Sequence, residues 1–407
     1  GEGKRRFLER AAHEIEGVYV PSFYHIEYNE DKTIRSITAT NGAPDKVRKR
    51  IVQNLDTEYY QTHAIVPNTE IVHDRVTLEL FRGCIRGCRF CQAGYVYRPV
   101  RSKSSDKLIL EGIDKLKNSG YQEITLSSLS TSDYRGLEKV CDGLLDWCEP
   151  HKTNLSLPSL RADNFSQSIM LRLSRVRKTG LTFAPEAGTQ RLRDVINKNI
   201  TEEEVRNACR TAFASGQNSV KLYFMMGLPT ETDEDILGIA EIANHILYEW
   251  RQHASNKSRG CRITVSVSCF VPKPHTPFQW EKQDTREEFM RKQLLLRDAI
   301  RSKSIIYNWH DAPTSVLEGV LSRGDRRIAD VIEAAWRNGA KLDAWNEYFN
   351  EQYWLDAFEE TGIDPAFYVN RQRSDDELLP WSMIDIGVRQ EHLKHERMLA
   401  YKGITTP

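Results

Sequence analysis

Residues 77–91 read "TLELFRGCIRGCRFC", a strand-like run opening directly onto Cys84, Cys88 and Cys91, spaced C-x3-C-x2-C. Alternation in its first half puts Thr77, Glu79 and Phe81 on one face and Leu78 and Leu80 on the other, the period-two pattern of a half-buried strand. Gly83 and Gly87 let the following loop bend tightly and bring backbone N–H groups towards sulfur. Structural zinc takes four ligands, commonly as two pairs, and no second pair accompanies this triplet. A [4Fe–4S] cluster normally takes four cysteines, one per iron. Three cysteines leave one iron with an open coordination position, the arrangement a catalytic cluster needs.

Downstream, the strand-then-helix pattern repeats. Strand-like runs at 77–83, 123–130, 154–163, 180–188, 219–227 and 262–271 alternate with amphipathic helical stretches near 107–119, 134–149, 165–177, 201–215, 233–253 and 285–303. Thr201 with Glu204, and Thr285 with Glu288, fit capping boxes; "TETDED" places acids in a first helical turn. Six such units predict an α/β fold with a parallel sheet and helices outside it. Right-handed crossovers would curl that sheet into a full or partial barrel. The cysteine triplet then stands at the C-terminal mouth of the first strand, where barrels of this type carry their chemistry. Along the strands, Leu181, Phe183, Val220, Leu222, Phe224, Ile263, Val265 and Val267 oppose Thr182, Glu186, Lys221, Tyr223, Thr264 and Ser266. A parallel sheet covered on both faces would be apolar on both. The polar face, with Glu79, Glu186 and Lys221, is expected to line a wet, ligand-holding lumen.

Three segments follow: a linker and hairpin at 1–76, the barrel at 77–304, and a helical region at 305–407 whose aromatic run is expected to form a satellite core. Lysine plus arginine equals aspartate plus glutamate at 57 each, which argues against a dedicated nucleic-acid binder while leaving room for a local basic groove. Eight cysteines in 407 residues are no disulfide framework, and Cys141, Cys148, Cys209, Cys261 and Cys269 are expected to pack as small hydrophobes. No run is long enough to span a bilayer and no secretory signal precedes the barrel. No membrane partner is therefore expected, and an oxygen-sensitive cluster implies a reducing, cytoplasmic location. The opening "GEGKRRFLERAAHEIEG" lacks an initiating methionine and is expected to continue an upstream domain.

C-x3-C-x2-C, with Phe90 before the last cysteine and opening a (β/α)6 unit, resembles the radical S-adenosylmethionine (SAM) enzymes, whose core is a partial TIM-like barrel. The resemblance implies a [4Fe–4S] cluster on Cys84, Cys88 and Cys91, with SAM filling the open iron site. Reduction then cleaves SAM to methionine and a 5′-deoxyadenosyl radical. The family's second-strand glycine-rich segment is replaced here by "SSLSTSDY", so Ser128 and Ser130 take the place of the usual contacts to the SAM amino group. "LTFAPEAGTQRLRDVINK" is similar to a fourth-strand segment in which residues at the positions of Glu186 and Lys198 hold the SAM ribose and carboxylate. "MMGLPTETDED" resembles the fifth-strand segment near adenosine, implicating Gly227 and Tyr223. In the sixth-strand end, "SVSCFVPKPHTPFQW", backbone near Phe270 and Val271 is implied to meet adenine.

Together with "GVYVPSFY", these motifs resemble bacterial radical SAM proteins in which a cobalamin-binding domain precedes the barrel. No D-x-H-x-x-G cobalamin signature occurs here, so cobalamin is implied only through a domain outside this chain. The leading expectation is cobalamin-assisted methyl transfer to an unreactive carbon, with a flavodoxin- or ferredoxin-type electron donor. A cobalamin-independent enzyme acting on RNA and a non-catalytic iron–sulfur scaffold or sensor are the alternatives.

Overall fold

Parallel strands alternating with helices carry the centre of the structure. The computed structural model describes residues 3–157, 181–258 and 260–407. Strands β1 (Val76–Glu79), β2 (Glu123–Ser127) and β3 (Asn154–Ser156) pair in parallel in that order. Strands β4 (Leu181–Glu186), β5 (Ser219–Met226), β6 (Arg262–Cys269) and β7 (Ile305–Trp309) form a second parallel row, also in sequence order. Helix α1 (Ser105–Ser119) links β1 to β2, and α2 (Leu137–His151) links β2 to β3. Helices α3 (Gln190–Val195) and α4 (Glu202–Ala214) follow β4, α5 (Asp233–His253) follows β5, and α6 (Arg286–Ala299) follows β6. Strand-helix repeats in this order make an open, TIM-like partial barrel. The helix expected at 165–177 lies outside the described residues.

Sequence alternation decides which face goes where. Leu78, Ile124, Leu126, Phe183, Leu222, Phe224, Ile263 and Val265 are buried in one cluster with Val140, Leu144, Phe213, Ile239 and Ile246 of the surrounding helices. Each such side chain contributes about 1.5–3 kcal/mol. The opposite face stays wet: Thr182, Glu186, Lys221, Ser266 and Ser268 are half-buried and Tyr223 is exposed. Cys141, Cys148 and Cys209 are completely buried among apolar side chains.

Three expectations need correction. Phe81 does not share the lumenal face with Glu79: β1 ends at Glu79, and Phe81–Arg82 turns back to pair antiparallel with Arg101–Ser102. That break resets the alternation, so Leu80 and Phe81 are both buried. The sheet also runs past residue 304, because β7 adds to β6 through pairs from Ile263–Ile305 to Val267–Trp309. Helices α7 (Ala312–Arg323), α8 (Ile328–Asn338), α9 (Glu351–Thr361) and α10 (Gln390–Tyr401) come after it. Finally, the aromatic run divides. Trp354 and Phe358 join Val331, Ala335 and Val369 in a satellite core, whereas Trp336, Trp345 and Tyr348 remain exposed.

The N-terminal hairpin, Tyr24–Tyr28 against Ile34–Ala39, forms about its polar turn as the sequence predicts. A short parallel pairing of Val47–Arg48 with Ile384–Asp385 then joins this segment to the C-terminal region. Among the described residues, no helix is long and apolar enough to cross a membrane.

Two contacts fix the loops around β4. A Cβ added at Gly188 would stand 2.1 Å from the Asp235 carbonyl oxygen and 2.5 Å from the Ile239 nitrogen. At Gly238 it would stand 2.8 Å from the Gly188 oxygen. The β4 exit loop therefore lies directly on the backbone of α5. Nearby, Glu249 of α5, 2% exposed at its side chain, accepts from Arg206 at 2.6 Å and Arg210 at 2.9 Å on α4. The Arg210 hydrogen bond, helped by Arg206 and opposed by burial, holds the Glu249 carboxyl down to about 2.

A carboxylate depressed in the folded state stabilises above its ordinary value of ~4.3 and loses that contribution as pH falls towards the folded value. Glu249→Gln should therefore destabilise the chain by about 2 kcal/mol at neutral pH and by progressively less between about pH 5 and pH 2. Urea midpoints of both proteins across that range check this; a pH-independent difference would refute it.

Candidate active site

The cysteine loop leaves β1 through a constrained turn. Gly83 adopts φ +87°, and a Cβ there would sit 2.7 Å from the Tyr97 oxygen and 2.8 Å from that of Pro99, so glycine is required. The Phe81–Ser102 and Arg82–Arg101 pairs close the loop at its base. Within it, the Arg86 amide donates to Cys84 Sγ at 3.4 Å and the Cys91 amide to the Cys88 carbonyl at 3.2 Å. Cys91 then precedes the short helix Gln92–Val96. Cys88 is buried, and Cys84 and Cys91 are half-buried. Burial pushes the Cys91 thiol up and the Gly94 amide pulls it back; the Cys88 and Cys84 thiols raise it further, while Lys198 lowers it. All three thiols and the Lys198 ammonium thus share one electrostatic neighbourhood.

Opposite them, Glu186 ends β4 with φ +68°, a left-handed conformation that non-glycine residues seldom adopt. Its carboxylate meets Lys198 Nζ at 3.1 Å, and the two side chains retain only 16% and 11% exposure. Two residues twelve apart in sequence therefore form one pair at the barrel mouth. Phe90 packs beside the buried cluster of Leu192, Ile196, Leu228, Phe270 and Phe278. Tyr223 stands on the lumenal face, with Lys221 Nζ 4.6 Å from its ring centre.

Other expected contacts are occupied by the protein. Gly227, at φ +85°, gives its N–H to Glu231 Oε1 at 2.7 Å, and a Cβ there would meet Phe289 at 2.6 Å; its structural duty is to close the β5 exit loop. Lys292 anchors that loop by bridging Glu231 at 2.8 Å and Asp284 at 2.6 Å. Ser130 is buried and donates to Asp133 at 2.6 Å, and the Ser128 hydroxyl pairs with Thr131 at 3.1 Å. The Phe270 N–H donates to the Met226 carbonyl at 2.8 Å, and its oxygen accepts from Gln283 at 3.1 Å.

Residues absent from the sequence argument hold the loop. Arg86 forks onto Asp133, with Nε at 2.9 Å, which ties the cysteine loop to the loop after β2. Arg98 donates to the Gly94 oxygen at 3.0 Å and the Arg86 oxygen at 2.9 Å. The fully buried Arg89 reaches the end of α3 and the C-terminal region. No local spacing signals the Arg86–Asp133 pair, 47 residues apart. A cavity of about 580 Å³ adjoins the loop, lined by Lys49, Arg50, Glu79, Arg82, Arg101 and Ser128, among others.

The profile of the Radical SAM superfamily matches residues 78–243. An uncharacterised protein of Methanocaldococcus jannaschii is 30% identical over 319 residues, covering 78% of this chain and 68% of that protein. The chain belongs to the radical SAM superfamily. Also similar is a tRNA-2-methylthio-N(6)-dimethylallyladenosine synthase from Herminiimonas arsenicoxydans, 21% identical over 286 residues, or 67% of this chain and 60% of the synthase. Among solved structures, a radical SAM methyltransferase from Kitasatospora setae with cobalamin and a [4Fe–4S] cluster aligns at TM-score 0.40 and 13% identity, covering 51% of this chain and 38% of that one.

Membership in the superfamily brings a [4Fe–4S] cluster and SAM as cofactors. The donor set fits. Three thiols on a bent loop, with the Arg86 amide turned to the Cys84 sulfur, suit a cluster that spreads its cysteines over separate irons.

Because Arg86 and Asp133 set the position of the Cys84 half of the loop, Asp133→Ala should expose Cys84. Maleimide labelling of the cluster-free protein should be about tenfold faster at Cys84, the effect of one lost charged hydrogen bond, with Cys209 unreactive in both proteins. An unchanged Cys84 rate would show that the tether is dispensable.

Proposed function

We propose that this chain is the catalytic barrel of an enzyme that cleaves SAM reductively and directs the resulting radical at a substrate in the lumen. The observation that carries the reading is that the cysteine loop is hydrogen-bonded to the segment of Lys198, through Arg89 N–H to the Ile196 oxygen at 3.0 Å and Asn197 Nδ2 to the Gly87 oxygen at 3.1 Å, while Lys198 itself pairs with Glu186 at 3.1 Å. A [4Fe–4S] cluster held there would supply the one-electron reduction of SAM to methionine and the 5′-deoxyadenosyl radical, the electron coming from a low-potential flavodoxin- or ferredoxin-type donor. The protein's own part is to hold and orient. Cys84, Cys88 and Cys91 ligate, and Lys198 offers its ammonium to the SAM carboxylate. Glu186 orients Lys198 and accepts hydrogen bonds from the ribose. Phe90 shields the loop, and Tyr223 with Ser128 lines the approach. Charges held in this half-buried wall are felt more strongly than they would be in water.

Methyl transfer to an unreactive carbon is the reaction favoured by the flanking motifs, and its cobalamin would have to be held outside this chain. A second reading, RNA as substrate, is favoured by the cavity beside the cysteine loop. Two of its cations, Lys49 and Arg101, are hydrogen-bonded to neutral carbonyls, so their charge remains available to a phosphate backbone. The relatives named as tRNA methylthio synthases point the same way.

Anaerobic reconstitution with iron and sulfide, then dithionite and SAM, tests the chemistry through 5′-deoxyadenosine detected by mass spectrometry. Wild type should yield product and Cys88→Ala none; a loaded cluster that leaves SAM intact would refute the reading. Glu186→Ala should keep its iron and sulfide while SAM affinity falls about tenfold, a charge-assisted hydrogen bond's worth. Unchanged affinity would remove Glu186 from the SAM site.

A further inference from the structure

The two neighbours of Cys88 and the two neighbours of Lys198 are all tied into one network that ends on Thr406. On the cysteine side, Arg89 is completely buried and its guanidinium makes four hydrogen bonds. Nε meets Glu396 Oε2 at 3.1 Å, one terminal nitrogen meets the Asp194 and Val195 oxygens at 3.1 and 2.9 Å, and the other meets the Ile404 oxygen at 2.7 Å. Its backbone N–H donates to the Ile196 oxygen at 3.0 Å. The last carbonyls of α3, which a helix leaves unpaired, are thereby capped by a cation of the cysteine loop. On the other side of Cys88, the Gly87 oxygen accepts from Asn197 Nδ2 at 3.1 Å. A Cβ at Gly87 would stand 2.9 Å from that same nitrogen, so the absent side chain is what admits the contact.

Around Lys198 the same partners recur. Asn197, buried and at φ +53°, exchanges bonds with Thr406: Nδ2 donates to Oγ1 at 3.0 Å, and Oδ1 accepts from the Thr406 N–H at 2.9 Å. Asn199, at φ +49°, donates to the Thr406 oxygen at 2.8 Å. Thr406 Oγ1 donates in turn to Glu396 Oε2 at 3.2 Å, the oxygen that also receives Arg89. Every polar atom of Thr406 is thus engaged, and the circuit Arg89–Glu396–Thr406–Asn197–Gly87 closes on itself. A closed, part-buried circuit of this kind is worth more than its separate bonds.

We infer that Thr406, with Glu396, is a positioning element that holds the cysteine loop and the Lys198 segment in fixed register. The strap includes none of the three cysteines and neither Glu186 nor Lys198; it acts through the neighbours of a ligand and of a SAM-binding side chain. The inference rests on the superfamily reading for its purpose, but not for its existence, which the cluster-free chain can report.

The test is hydrogen exchange of the full chain without cluster, comparing wild type, Thr406→Val and Thr406→Ser. Valine keeps the shape and the backbone bonds but removes both hydroxyl bonds; serine restores them. Exchange in peptides spanning 86–91 and 194–199 should be about fivefold faster in the valine protein, as for one lost buried hydrogen bond, and should return to wild type in the serine protein. The strand at 219–226 should be unchanged in all three. Equal exchange in all three proteins would overturn the inference, as would acceleration spread evenly through the barrel. After anaerobic cluster loading, SAM affinity should fall about fivefold with valine and recover with serine. Wild-type protein that takes up no cluster would count against the superfamily chemistry, while the exchange pattern would still judge the strap.

Discussion

Backbone meets backbone where Gly188 lies on α5, and much of the site follows from that contact. With no side chain on either Gly188 or Gly238, the exit loop of β4 is pressed against the helix that follows β5. The next residue, Thr189, uses its hydroxyl both to cap α3 and to reach Asp235 of α5. Strand end, short helix and long helix are consequently locked within a few residues of Glu186. The unusual backbone of Glu186 becomes tolerable because its surroundings over-determine it. The carboxylate is aimed into the lumen by the fold, with no flexible linker in between.

Arginine is the second organising device. The cysteine loop contains little regular structure, yet Arg86, Arg89 and Arg98 knit it to the β2 loop, to α3 and to itself. Guanidinium groups suit the task because each offers five donors in a rigid fork, enough to satisfy several carbonyls of an irregular segment. The pairings are selective: Arg86 has a carboxylate partner in Asp133, whereas Arg98 is satisfied by neutral oxygens.

What the sequence made legible was whatever depends on short spacing. Alternation along β4, β5 and β6 correctly separated the buried from the lumenal face, and the Thr201–Glu204 box caps α4 in full. Glu186 and Lys198 were both expected at the SAM site by resemblance, and the eleven residues between them bring the two into contact. Two local rules failed at breaks in periodicity. Phe81 changed face because the strand ended at Glu79, and β7 was lost inside a region whose helices dominated its composition. Long-range polar pairs were invisible: Arg86 with Asp133, and Arg89 with Glu396, which are 307 residues apart. Neither propensity nor spacing encodes such partners, since each residue alone looks like an ordinary surface charge. Ser130 shows the converse, a hydroxyl in the expected strand position whose bond is already taken by Asp133.

The bond from Arg89 to the Ile404 carbonyl spans 315 residues, and this gives the protein a timetable. On a ribosome adding 5–20 residues per second, roughly 15–60 s separate the appearance of the cysteines from that of their last fastener. During that interval the nascent barrel carries three thiols on an unfastened loop. Maturation factors delivering iron and sulfide would therefore meet the finished pocket only once residue 404 has been made. Synthesis order itself would postpone metallation until the chain can hold its cargo.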